Sequence, residues 1–103
     1  MSSRLADYFR SQAAWREEKT KQYPEDERNA QSAEALRSLA EFVESDERAE
    51  EAEQELEPHL LNGRLGGEAT RHEVASYGYG YRVNAAQHVD FLDGLVALCL
   101  EDA

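Results

Sequence analysis

Apolar residues recur at intervals of three and four along most of the chain, a spacing that places them on one face of an α-helix. The clearest stripe runs through Ala33, Leu36, Ala40 and Val43, and it predicts an amphipathic helix. Similar stripes lie on both sides of it. Together they predict helices at about residues 3–22, 25–44, 46–61, 68–77 and 84–101.

Local signals mark where these helices begin. Ser3 is placed to cap the first helix, and Asn84, with Gln87 three residues later, matches the capping box that starts the last one. Pro24 separates the first two helices and suits the first turn of the second. Ser45 is a candidate cap for the third helix, although the second helix could also continue directly into it.

Two further features concern the end of the third helix and the place of the last helix in the core. Pro58 kinks or ends the third helix, and Asn62-Gly63 supplies a left-handed stop. The last helix is apolar over most of its circumference, which places it at the centre of the core or at a dimer interface. The sequence therefore predicts an all-α protein, a small four- to five-helix domain of residues 1–103 with the C-terminal helix central to its core.

Negative charge is concentrated in one segment. The chain carries a net charge of −11, and residues 41–57, here called the acidic arm, hold nine acidic residues against one base, Arg48. Many of the acids are four apart, a spacing at which like charges repel on a helix. The candidate partner-binding acids are Glu47, Glu50, Glu51 and Glu55. They suit another protein, a metal ion or the basic first helix of a second subunit; the plain alternative is a solvated helix face.

Glycine and tyrosine alternate from Tyr77 to Tyr81, followed by Arg82, and residues 77–82 are called here the tyrosine–glycine segment. Tyrosine gives an interface a rigid ring with a polar tip, and glycine lets the backbone bend. In an extended segment, the rings of Tyr77, Tyr79 and Tyr81 would share one face, with Arg82 at its end. These four residues are further partner-binding candidates. The alternative is that the rings pack on the last helix and only fix the loop.

Residues 70–93 resemble a helix-turn-helix motif, with residues 84–93 as the reading helix. The resemblance implies a nucleic-acid-binding regulator. Charge argues against this function, because residues 62–103 hold three arginines against six acids, whereas nucleic-acid binding depends on neutralising phosphates. The acidic arm suggests a different alternative, a DNA-mimic inhibitor whose spaced carboxylates in residues 41–57 imitate phosphates.

The sequence contains no recognisable motif for catalysis. It has no nucleophile elbow and no phosphate-binding loop, and none of its histidines follows a glutamate at the spacing of a di-iron bundle. The single cysteine, Cys99, lies in an apolar run and is expected to be a buried hydrophobe. The sequence thus predicts that the protein is not an enzyme and has no metal or cofactor.

These patterns favour a small cytoplasmic protein that acts as a protein–protein interaction or regulatory module. A lone cysteine is typical of a reducing compartment, and neither a signal peptide nor a membrane-spanning run is found. The expected partner is another protein or a second copy of the chain, since a domain this short has a modest core that a homodimer would extend. The expected contact surfaces are the acidic arm and the tyrosine–glycine segment.

Overall fold

The computed structural model describes residues 3–101, and this range is mostly helical. Two 3₁₀ helices, Glu47–Ala49 and Glu57–His59, flank the third α-helix, and a short antiparallel hairpin joins β1 (Leu60–Leu61) to β2 (Arg64–Leu65). The prediction of a small all-α fold of four to five helices is confirmed. The α-helices are α1 (Arg4–Gln22), α2 (Glu27–Ser45), α3 (Glu50–Leu56), α4 (Glu68–Ser76) and α5 (Ala85–Glu101).

The most extensive packing in the described range joins α1 to α2. Ser3 caps α1 as predicted, its hydroxyl accepting a hydrogen bond from the N–H of Ala6 at 3.2 Å. The carboxylate of Asp26 caps α2, so that helix begins two residues later than predicted and Pro24 lies in the connecting turn. Fully buried apolar side chains of these two helices include Leu5, Phe9, Ala13, Leu36, Leu39 and Ala40.

The single helix predicted for residues 46–61 is wrong, because the chain breaks there into short pieces. The carboxylate of Asp46, rather than Ser45, caps the first piece by accepting a hydrogen bond from the N–H of Arg48 at 2.9 Å. The second and third predicted helices are therefore not continuous. Only seven residues remain in α3, and Pro58 lies in the 3₁₀ turn that follows it.

The Asn62-Gly63 pair forms a hairpin turn and not the predicted helix stop. Asn62 has a φ of +55° and Gly63 a φ of +73°, and two successive positive φ angles are what a type I′ hairpin turn requires. Leu60 faces Leu65 across the two strands, and both side chains are buried. The hairpin thus fastens the end of the acidic arm to the core.

The C-terminal helix α5 begins at the predicted capping box. The N–H of Asn84 donates to Oε1 of Gln87 at 2.8 Å, and the N–H of Gln87 donates to Oδ1 of Asn84 at 3.0 Å. The helix contacts α2, α3 and α4. Among its larger apolar residues, Val89, Phe91, Val96 and Leu98 are only half-buried and Leu100 is exposed, so part of its surface is uncovered. Its buried residues are His88, Leu92, Leu95 and Cys99.

Candidate interaction surfaces

Some carboxylates of the acidic arm pair with cations of the first helix. Arg10 of α1 forms an ion pair with Glu44, and Arg4 lies 3.6 Å from Glu57. The hydrogen bond from Arg10 is the main reason that the pKa of Glu44 falls below its ordinary value. The basic first helix therefore contacts the acidic arm of its own chain.

Two more acids of the arm have partners close by. The hydroxyl of Ser3 donates a hydrogen bond to Glu53, which connects the start of α1 to α3. Arg48 donates to Asp46 at 2.9 Å, and this hydrogen bond lowers the pKa of Asp46 to about 2. These contacts hold the arm in place but engage only some of its acidic side chains.

The four predicted partner-binding acids of the arm face solvent. Each is exposed, and none forms an ion pair or a side-chain hydrogen bond with another residue in the range 3–101. We call Glu47, Glu50, Glu51 and Glu55 the outer carboxylates. Glu51 and Glu55 lie one turn apart on α3, where a like-charge pair costs about 0.2–0.5 kcal/mol. The arm thus retains a mildly destabilising charge that its own fold leaves unpaired.

The tyrosine–glycine segment is not extended. Gly78 has a φ of +70° and Gly80 a φ of +91°, and each turns the backbone away from a strand conformation. The three rings consequently lie in different surroundings: Tyr77 is buried, Tyr79 is half-buried and Tyr81 is 48% exposed. The shared face that an extended backbone would give does not form.

Tyr77 anchors the segment to the core. Its hydroxyl lies 2.6 Å from Nδ1 of His88, whose Nε2 lies 3.0 Å from the hydroxyl of Ser38. Its ring stacks on Phe91 with centroids 3.8 Å apart, and its carbonyl accepts a hydrogen bond from Ser32 at 2.6 Å. Burial raises the pKa of Tyr77 and lowers the pKa of His88, so both groups are neutral near pH 7. A neutral hydrogen-bonded chain therefore joins the segment to α2 and α5.

The ring of Tyr79 contacts two arginines. The guanidinium of Arg16 lies 4.6 Å from the ring centroid and that of Arg28 lies 4.8 Å from it, while the hydroxyl donates to Asp26 at 3.2 Å. Arg16 also donates to Oδ1 of Asn29 at 2.9 Å and to the carbonyl of Ala75 at the end of α4. No sequence pattern singles out Arg16, because its partners come from three separate parts of the chain.

Tyr81 and Arg82 are the predicted contact residues of the segment that stay exposed. Tyr81 borders a groove along α5 together with Phe91, and it also borders a second groove lined by Arg82 and Ser38. Of the four candidates, Tyr77 and Tyr79 therefore pack within the fold, and Tyr81 and Arg82 face solvent.

Because of His88, the protein is expected to unfold more easily as the pH falls below about 6.5, the ordinary pKa of histidine. Burial lowers the pKa of His88 in the folded chain, so the unfolded chain takes up a proton that the folded chain does not. The stability from neutral His88 is complete above the ordinary pKa and is lost as the pH falls toward the folded-state pKa. Urea unfolding between about pH 7.5 and about pH 5 measures this loss.

The variant His88→Gln is the control for this pH dependence. Glutamine keeps hydrogen-bonding capacity toward Tyr77 but does not titrate, while His59 and His72 remain in both proteins. The free energy of unfolding of the variant should be lower than that of the native chain at pH 7.5 and nearly constant over the same pH range. An unchanged pH slope in the variant would contradict the assignment to His88.

Comparison with known proteins gives no match: no protein-family model, no curated protein and no solved structure matches this chain. Within residues 3–101, no group of three or more His, Cys, Asp or Glu side chains is arranged to hold a metal ion. No helix in this range has the length and apolar character needed to cross a membrane.

The region that resembles a helix-turn-helix motif departs from that geometry. Residues 77–84 separate α4 from α5, whereas the motif joins its helices by a turn of about three or four residues. The helix in the position of the reading helix, α5, buries His88 and Leu92 and contains no lysine or arginine. Neither feature favours insertion into a DNA groove.

Proposed function

We propose that this protein is an interaction module that binds a cationic partner protein through the outer carboxylates of its acidic arm. The supporting observation is that the acids of the arm differ in their contacts: some have partners within the fold, and the outer carboxylates do not. Arg4 and Arg10 of α1, together with Ser3, satisfy the acids that position the arm, and the four outer carboxylates have no such role within residues 3–101.

The electrostatics of the arm suit rapid capture of a basic surface. The chain has a net charge of −11, and the outer carboxylates project part of that charge from one short helical segment. Such a field raises the association rate of an oppositely charged partner and is screened by salt. Binding of a cation would also relieve the repulsion between Glu51 and Glu55.

Neutralising the outer carboxylates is expected to lower recovery of the partner from a host lysate by at least about tenfold. The variant carries Glu47→Gln, Glu50→Gln, Glu51→Gln and Glu55→Gln. Its free energy of unfolding should stay within about 0.5 kcal/mol of the native value, because lost favourable contacts with the N-terminus of α3 and relieved repulsion offset each other. Quantitative mass spectrometry of affinity-captured protein measures recovery, and urea unfolding measures stability.

A matched control separates the location of charge from its total amount. It removes the same number of charges at exposed positions elsewhere: Glu18→Gln, Glu25→Gln, Glu34→Gln and Glu101→Gln. The control should capture as much partner as the native protein does, and for both proteins the captured amount should fall when the salt concentration is raised. Equal losses in the two variants would mean that only net charge matters, and full recovery with the arm variant would exclude the arm as the contact surface.

Competition with duplex DNA distinguishes an ordinary basic partner from the target of a DNA-mimic inhibitor. If the captured protein uses its DNA-binding site to hold the arm, duplex DNA displaces it from the module. If DNA leaves the complex intact, the partner's basic surface is not its DNA-binding site and the DNA-mimic alternative is excluded.

A further inference from the structure

A second surface, separate from the outer carboxylates, lies along α5. It is a groove of about 480 Å³ between the end of α4, the ring of Tyr81 and one face of α5. Phe91, Leu95 and Leu98 form its apolar floor. Phe91 and Leu98 are only half-buried, so the groove displays apolar surface that the rest of the described chain leaves uncovered.

The rim of the groove is acidic. Glu73 of α4 and Asp90 of α5 border it, and both are exposed without an ion pair among residues 3–101. Among residues 3–101, no lysine or arginine borders the groove, and α5 itself contains acids but no lysine or arginine. An occupant with cationic side chains at its edges would therefore be complementary to this groove.

Gly94, in the middle of α5, also borders the groove. Glycine inside a helix is less favourable than alanine, so its presence needs a reason. The fold provides none: a Cβ at Gly94 would meet no atom within 4 Å, and its φ is not in the left-handed region. What the missing side chain does provide is depth, since it lets an occupant approach the backbone of α5.

We propose that this groove binds an amphipathic helical segment of a partner protein. Apolar side chains of that segment pack on Phe91, Leu95 and Leu98, and its lysines or arginines lie beside Glu73 and Asp90. A second copy of α5 is a poor occupant, because two such helices would bring only acids together. The proposal does not depend on the acidic arm, since the groove and the outer carboxylates share no residue.

The test uses two synthetic peptides of leucine and lysine with identical composition. One has all its leucines on one helical face, and the other has them distributed around the helix. The native protein should bind the amphipathic peptide at least about tenfold more tightly than the distributed one in calorimetric titration. The variant Gly94→Ala should reduce this preference to about threefold or less, because its methyl group occupies the groove.

The variant should remain fully folded, with a Tm about 4 °C or more above the native value, since alanine is the better helix former. Neutralising the outer carboxylates should lower the affinity for both peptides by a similar factor and leave the preference unchanged. The proposals for the arm and for the groove can therefore fail independently. Three results would overturn the proposal: no preference in the native protein, an undiminished preference in Gly94→Ala, or a native dimer in light scattering that this substitution dissociates.

Discussion

Replacing Gly78 with alanine is expected to lower the free energy of unfolding by about 3 kcal/mol. Gly78 has a φ of +70°, a conformation that costs an ordinary L residue about 1–2 kcal/mol. A Cβ at this position would also clash with the Cβ of Ala35, so the segment and α2 would have to move apart. Such overpacking costs about 1–3 kcal/mol. Thermal unfolding should show a fall in Tm of roughly 12 °C or more.

Gly63→Ala is the matched control for this substitution. Gly63 has a φ of +73°, but a Cβ there would meet no atom within 4 Å. The control therefore measures backbone strain alone, and its cost should be at least about 1 kcal/mol smaller than that of Gly78→Ala. Equal costs would show that α2 yields freely to the added methyl group and would contradict close packing of the segment against Ala35.

Features encoded by neighbouring residues could be read from the sequence. The caps of α1 and α5 are examples, because Ser3, Asn84 and Gln87 bond to groups three residues away, whatever the rest of the chain does. The stripes of apolar residues likewise gave the class of fold, since burial of one face is a local periodicity. The acidic character of residues 41–57 follows directly from composition.

The hairpin after the acidic arm had a local signal that supports two structures. A helix C-terminus and a type I′ turn both favour Asn-Gly, because both place residues at positive φ. Its strands are only two residues long, too short to show an alternating pattern. The outcome depends on burial of Leu60 and Leu65, which is a property of the folded core.

Which acids of the arm have partners within the fold could not be predicted, because this depends on contacts between distant residues. Arg10 and Glu44 are 34 residues apart, and they meet only because α1 packs on α2. The tyrosine–glycine segment has a similar difficulty: glycine adopts positive and negative φ with little preference, so alternation alone does not fix where the rings point. Gly94 did carry a signal, as an isolated glycine inside a helical pattern, but its significance requires the groove beside it.

Replacing Arg16 with methionine is expected to lower the free energy of unfolding by about 3 kcal/mol, although the position is only half-buried. The change removes the hydrogen bonds to Asn29 and to the carbonyl of Ala75, and it removes one of the two cations that hold Tyr79. Asn29 is buried, so its side-chain oxygen would lose its partner without gaining water. Urea unfolding measures the loss, and amide exchange should show faster opening of residues 77–82.

Two further variants show which property of Arg16 matters. Lysine keeps the charge but has no planar fork able to reach Asn29 and Ala75 together, so Arg16→Lys should lose at least about half as much stability as the methionine variant. Arg28→Met removes the other cation beside Tyr79 together with its ion pair to Asp26, but Arg28 is exposed, so its loss of stability should be smaller than that of Arg16→Met. Native stability in Arg16→Lys would show that charge alone suffices. If Arg16→Met loses the most stability, with a substantial loss in Arg16→Lys and a small one in Arg28→Met, Arg16 is the residue that joins α1, α2 and α4. It then also fixes the position from which Tyr81 and Arg82 reach solvent.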